Sequence, residues 1–142
     1  MVKQLALGAV FVAGAGLGLI LEAVPVSAHH AFAAEFDANK PVKFDRAVVT
    51  RMEWVNPHVW IHIDVPQPNG TVEKWAIEGG TPNVLYRRGF TKEMMVPGTE
   101  IVVEGYRAKD GSRRANGRDL TLPDGRNLFL GSSGTGAPVE RK

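Results

Sequence analysis

All four histidines of the chain fall in two places. His29 and His30 stand side by side in the stretch VSAHHAFAAEFD, and His58 and His62 lie within HVWIHIDV. A chain cut between Ala28 and His29 would begin with histidine. A free N-terminal histidine offers one ion two nitrogens, its α-amine and its ring Nδ1. One more histidine from the body of the protein completes a three-nitrogen set, the histidine brace. That set suits Cu(II), which favours tetragonal nitrogen and oxygen ligands. The α-amine titrates near neutral pH, so a metal displaces its proton readily. His30, at position two, offers a second mode through the amine, a backbone amide nitrogen and its own ring. Both modes depend on the cut after Ala28.

Strand geometry limits the second pair. His58 and His62 share a face, but four residues at about 3.3 Å each separate their Cα atoms by ~13 Å. One of them at most joins the terminal histidines. His58, beside the Asn56-Pro57 turn at a strand end, is the better placed for a mobile arm to reach. Asp64 is a hydrogen-bond candidate for His62. The plain alternative is that all four rings are polar surface. Glu35 and Asp37 are expected to be solubility groups on an exposed arm. Met52, Met94 and Met95 are expected in core or loop contacts, not as thioether ligands.

The elements that must position these groups are mostly strands. RAVVTRMEWV (Arg46–Val55) alternates, and Asn56-Pro57 ends it with a turn dipeptide. In HVWIHIDV the period is strictly two, with Val59, Ile61, Ile63 and Val65 against His58, Trp60, His62 and Asp64. Asn69-Gly70 is a hairpin signal, and TVEKWAIE (Thr71–Glu78) is the return strand. Thr81 reads as an N-cap, Pro82 as the first helical residue and Gly89 as the stop of a short helix. TEIVVEGYRA (Thr99–Ala108) is a fourth strand and KDGSRRANG (Lys109–Gly117) a polar connection. RDLTLPDGRNLFL (Arg118–Leu130) makes one strand, or two split at Asp124-Gly125. Three strands, a helix, then two further strands is the order of a mainly β, five-stranded OB-like barrel with the helix between strands 3 and 4. An immunoglobulin-like sandwich is the competitor, but seven strands are hard to find here.

Ahead of these elements, Lys3, the apolar run Leu5–Leu21, Pro25 and the small residues Val26-Ser27-Ala28 have the layout of a cleavable secretory signal. The expected divisions are a signal peptide at 1–28, an N-terminal arm at 29–41 anchored by Phe32 and Phe36, the barrel domain at 42–130 and a flexible tail at 131–142. The product would be periplasmic or secreted. Cysteine is absent, so the domain holds together by packing, and a metal site must use His, carboxylate, Met or the terminal amine. A net charge of +2 is too small to argue for nucleic acid, and no membrane association is expected once the signal is removed.

Trp54, Trp60 and Trp75 fall on three neighbouring strands, and Trp60 shares the histidine face. Together with Asp64, Trp54, Arg113 and Arg114 it outlines an alternative role, a non-catalytic module that binds a periplasmic protein or an envelope glycan. An enzyme is not expected. There is no Gly-Xaa-Ser-Xaa-Gly and no His-Glu-Xaa-Xaa-His, and the serines fall in the signal, a loop and the tail.

The stretches AHHAFAAEFDANKPV, EWVNPHVWIHIDV, WAIEGGTPNVLYRRGFTKEMMVPG and VEGYRAKDGSRRANGRDLTLPDGRNLFLGSS resemble small exported bacterial proteins of domain-of-unknown-function family 6152. The similarity runs from Ala28 to Ser133. It implies a His-His pair at the export junction and Asn-Pro-His in the first hairpin, matching His29, His30, Asn56, Pro57 and His58. The serine usual after the His pair is Ala31 here. The resemblance brings no activity with it. The residues themselves point first to copper, Cu(II), held by His29 with His58, and with His30 or His62 nearby, for carriage or delivery to a protein partner. The oligomeric state stays open.

Overall fold

In the computed structural model of the chain, which describes residues 32–131, six strands form a single sheet. They are β1 (Phe36–Glu53), β2 (Trp60–Pro66), β3 (Val72–Glu78), β4 (Glu100–Ala108), β5 (Arg114–Thr121) and β6 (Asn127–Phe129). Helix α1 (Pro82–Arg87) and a 3-10 turn (Lys92–Met94) stand between β3 and β4, where the order of signals predicts the helix. The expected signal segment, His29, His30 and the tail from residue 132 onward lie outside the described residues.

The pairing runs β3-β2-β1-β4-β5-β6, and β3 also pairs with β5. All neighbours are antiparallel except β3 and β5, which run parallel through Ala76–Arg114, Ile77–Ala115 and Glu78–Asn116. The pairings therefore return on themselves, from β1 through β2, β3, β5 and β4 to β1. Because β1 is 18 residues long, its first part serves β4 and its last part β2.

Side-chain alternation decides what lies inside. On β2, Ile61, Ile63 and Val65 are buried, while Trp60, His62 and Asp64 keep partial exposure. Trp75 and Ile77 of β3, Ile101 and Val103 of β4, and Ala115 and Leu120 of β5 join the same core. Leu85 from α1, then Phe90 and Met95, close it. Thr81 caps α1, its hydroxyl accepting from the Val84 N–H at 3.3 Å, with Pro82 at the first position. Gly70 takes a φ of +83° in the β2–β3 turn, which the Asn-Gly signal anticipates.

Three details differ from the pattern read in the sequence. A register shift between Val49 and Arg51 interrupts β1. One extra residue reverses the parity, so Ala47 and Val49 face inward before it and Met52 after it. Next, β1 starts at Phe36, within the expected arm, and residues 32–35 form a helical turn ahead of it. Finally, β5 begins at Arg114, which shortens the polar connection, and the Asp124-Gly125 turn does separate β6 from β5. Phe32 and Phe36 are buried, in a cluster of their own with Tyr106 and Ala108. The Phe32 ring meets Tyr106 edge-on at 5.7 Å.

Candidate functional site

The outward side chains of four strands line up across the sheet. Trp60 pairs with Glu78, Glu78 with Asn116, and Asn116 with Tyr106. Residues directly opposite in a ladder share a face, so these four form one row on the outside of the strand circuit. Two of them are buried although polar, Glu78 at 7% and Asn116 at 4% exposure. The arm docks at the Tyr106 end of this row, and the Glu35 charge acts on Glu78. Phe32 sits on Tyr106. Lys109 donates from its backbone N–H to the Glu35 carbonyl at 2.8 Å and from its ammonium to the Ala33 carbonyl. Arg114 reaches Glu35 Oε2 at 3.3 Å and Asp110 Oδ2 at 3.1 Å.

His58, just ahead of β2, meets this row at Glu78. Its Nδ1 lies 3.5 Å from Glu78 Oε1, and the Asn116 amide donates to the same oxygen at 3.3 Å. Asn116 Oδ1 is buried without a hydrogen-bond partner. Burial raises the Glu78 pKa; the neighbouring Glu35 charge adds to that, while His58, Asn116 and Arg114 oppose it. The folded protein therefore holds this proton more tightly than the unfolded chain does. Glu78 contributes most to stability below the ordinary carboxylate range, and that contribution is lost as pH rises through its folded value. Glu78→Gln removes the titration and keeps the shape. In thermal melts between pH ~4 and ~8, the variant should gain on wild type as pH rises. A difference that stays flat or runs the other way would contradict the burial of an ionisable Glu78.

His62 belongs to a different group. Its Nε2 is 3.2 Å from Glu53 Oε2 and 3.1 Å from Arg51 Nη2, and Arg51 meets Glu53 Oε1 at 3.1 Å. The hydrogen bond from His62 leads the causes that lower the Glu53 pKa. Asp64, the partner expected for His62, instead stands 3.8 Å from Lys74. The two strand histidines are thus separated, as their spacing requires, and each has its own carboxylate.

The other expected site residues divide. Trp60 keeps its place on the outer row. Trp54 does not offer a surface: it stacks on Phe90 at 5.9 Å, with the planes 13° apart, and packs against the core. Trp75 is buried beneath Arg107. Arg113 meets Glu73 at 3.4 Å, and Arg114 is spent on the arm and its own loop. Met52 and Met94 pack against the core and Met95 lies within it. Glu78 and Asn116 were not anticipated. The register of the Asn-Gly hairpin carries the clue, since it sets Glu78 opposite Trp60 and so on the His58 face.

Among the described residues, no three His, Asp or Glu side chains are gathered closely enough to hold a metal. His58 with Glu78 supplies one nitrogen and a carboxylate, which is an incomplete set. Nor is any described helix long and apolar enough to cross a membrane. A family model, that of a family of unknown function, matches residues 17–117, a span containing His29, His30, His58, Glu78 and Asn116. No curated protein and no solved structure matches the chain.

Proposed function

The chain belongs to the family of unknown function DUF6152, and for this member we propose an exported copper carrier. It binds Cu(II) through the amine and ring of a processed N-terminal His29 together with His58, and passes the ion to a protein partner. One observation supports this reading above the others: the arm is docked on the row of outer side chains that His58 joins. Tyr106, under Phe32, is two strands from Glu78, about 10 Å at ~4.8 Å per strand. Phe32, three residues after His29 in the sequence, is thereby held on the same outer row as Glu78, the contact of His58.

His30 is the neighbouring donor in this reading. His62 has no ligand role, because Glu53 and Arg51 already engage its Nε2. The domain is read as an OB-like barrel, supported by the closed cycle of strand pairings and by α1 between β3 and β4. Export rests on Lys3, the apolar run and the Val26-Ser27-Ala28 junction. With nitrogen and oxygen donors and no thiol, the site suits Cu(II) carriage and no turnover is proposed.

Expression with the native signal, a mass measurement of the first residue and a calorimetric Cu(II) titration test the reading. A product starting at His29 should bind one Cu(II). One extra residue ahead of His29 should weaken binding by more than tenfold, above about 1.4 kcal/mol. Equal affinity with and without the extension would end the proposal.

A further inference from the structure

We infer a second binding site, independent of any metal: a hollow on the outside of β1, β2 and β3 that takes a phosphate monoester on a small hydroxylated body, a sugar phosphate. The hollow measures about 270 Å3. Its charged and ionisable lining comes from four places in the chain: Arg51 of β1, His62 and Asp64 of β2, Lys74 of β3, and Arg113 just ahead of β5. The strand register makes the shape. Arg51 stands opposite His62, and His62 opposite Ala76, and residues opposite in a ladder share a face. Ala76, whose N–H donates to the Arg113 carbonyl at 3.0 Å, carries only a methyl group and forms a low point among longer side chains. Arg51 reaches this face because the β1 register shifts between Val49 and Arg51, leaving Thr50 and Arg51 both exposed. Re-aiming a side chain is what such a bulge does.

Two guanidiniums are held in place with donors to spare. Arg51 uses Nη2 for both Glu53 Oε1 and His62 Nε2, each at 3.1 Å. Arg113 uses Nη2 for Glu73 Oε1 at 3.4 Å. Glu73 is fixed in turn by the indole N–H of buried Trp75, which donates to its Oε2 at 2.9 Å. These are the polar contacts of the two guanidiniums among the described residues, so Nε and Nη1 of each still have hydrogens to donate. Glu53 and Glu73 do not line the hollow; they orient the cations that do. A guanidinium fork matches phosphate oxygens bidentately. Lys74 adds a third cation, in a loose exposed pair 3.8 Å from Asp64 that an oxyanion of charge about −1.5 to −2 displaces at little cost. Asp64 explains why the ligand is more than bare phosphate. A carboxylate repels a free anion but accepts from hydroxyl groups. The volume agrees: at about 30 Å3 per water, the hollow equals roughly nine waters, more than a phosphate group alone fills.

The test is a 1H–15N titration of the purified protein, without added metal, using glucose 6-phosphate, glucose and inorganic phosphate as separate probes. Glucose 6-phosphate should move the amides of Arg51, His62, Lys74 and Arg113 together and saturate with a Kd of about 1 mM or tighter. Inorganic phosphate should bind at least about threefold more weakly, and glucose should not saturate. Lys74→Gln and Arg113→Gln should each weaken glucose 6-phosphate by about tenfold or more. Arg126→Gln, on the Asp124-Gly125 turn, should leave it unchanged. Both substituted side chains in the hollow are largely exposed, and the same spectra verify that each variant keeps the fold. Shifts scattered over the basic residues, or an equal loss in Arg126→Gln, would overturn the site. Equal affinity for inorganic phosphate would overturn the hydroxylated body, and a glucose response as strong as that of its phosphate would overturn the role of the cations.

Discussion

Gly105→Ala should destabilise the protein by ~3 kcal/mol or more, the range reserved for severe core and backbone clashes. Gly105 sits where the β4–β5 register shifts, opposite Gly117. A Cβ at position 105 would collide with the carbonyl oxygen of Asn116 and stand 3.0 Å from its carbonyl carbon and 3.2 Å from Gly117 Cα. All three are backbone atoms, so no side chain can swing aside to make room. The strands would have to part where β5 also pairs with β3, and Asn116 would lose its hold on Glu78. Urea denaturation measures the loss. A variant within ~0.5 kcal/mol of wild type would contradict so close a β4–β5 approach.

His58→Ala should leave the fold intact and weaken Cu(II) binding by at least ~100-fold, about 2.7 kcal/mol. Losing an outer partner of a ligating histidine alone costs about 10–100-fold, so losing the ligand must cost at least as much. The His58 side chain is 28% exposed and its polar contact is with Glu78, which keeps Asn116. Little packing is therefore removed. His62→Ala is the matched control, since it disrupts an exposed Arg51–Glu53 network worth ~0–1 kcal/mol and should change Cu(II) affinity less than ~2-fold. Chelator competition on both variants separates the two histidines. The reverse ranking would move the metal to the Glu53 side of the sheet.

The sequence made the strands and turns readable because their signals are local. Period two from Val59 to Val65, the Asn69-Gly70 turn and the Thr81-Pro82 cap each depend on a few adjacent side chains. The β1 irregularity left no such trace. Thr50 and Arg51 are both exposed, so no misplaced apolar residue marks the extra position. Glu78 was hidden for another reason. At a strand end, in an outward position, a glutamate reads as solvated charge. Its surroundings are assembled from afar: β2 and β5 flank it, and Phe32 and Glu35 are tied to Tyr106, Lys109 and Arg114 across more than 70 residues of chain. The basic residues after β4 looked like a partner surface for the same reason. Their carboxylates and carbonyls, at Glu35, Glu73, Asp110, Ala33 and Gly111, lie partly on distant segments. The separation of His58 from His62 was legible in part, because strand spacing alone keeps the two rings apart. Which carboxylate each ring meets required the fold.

In the proposed carrier a processed His29 and His58 share one Cu(II). A crystal structure of the mature chain loaded with Cu(II), with anomalous data at the copper edge, tests it most directly. One strong peak is expected about 2 Å from the His29 amine, the His29 ring and a ring nitrogen of His58. A peak at His62, or a copper held by the arm alone and far from His58, would contradict it.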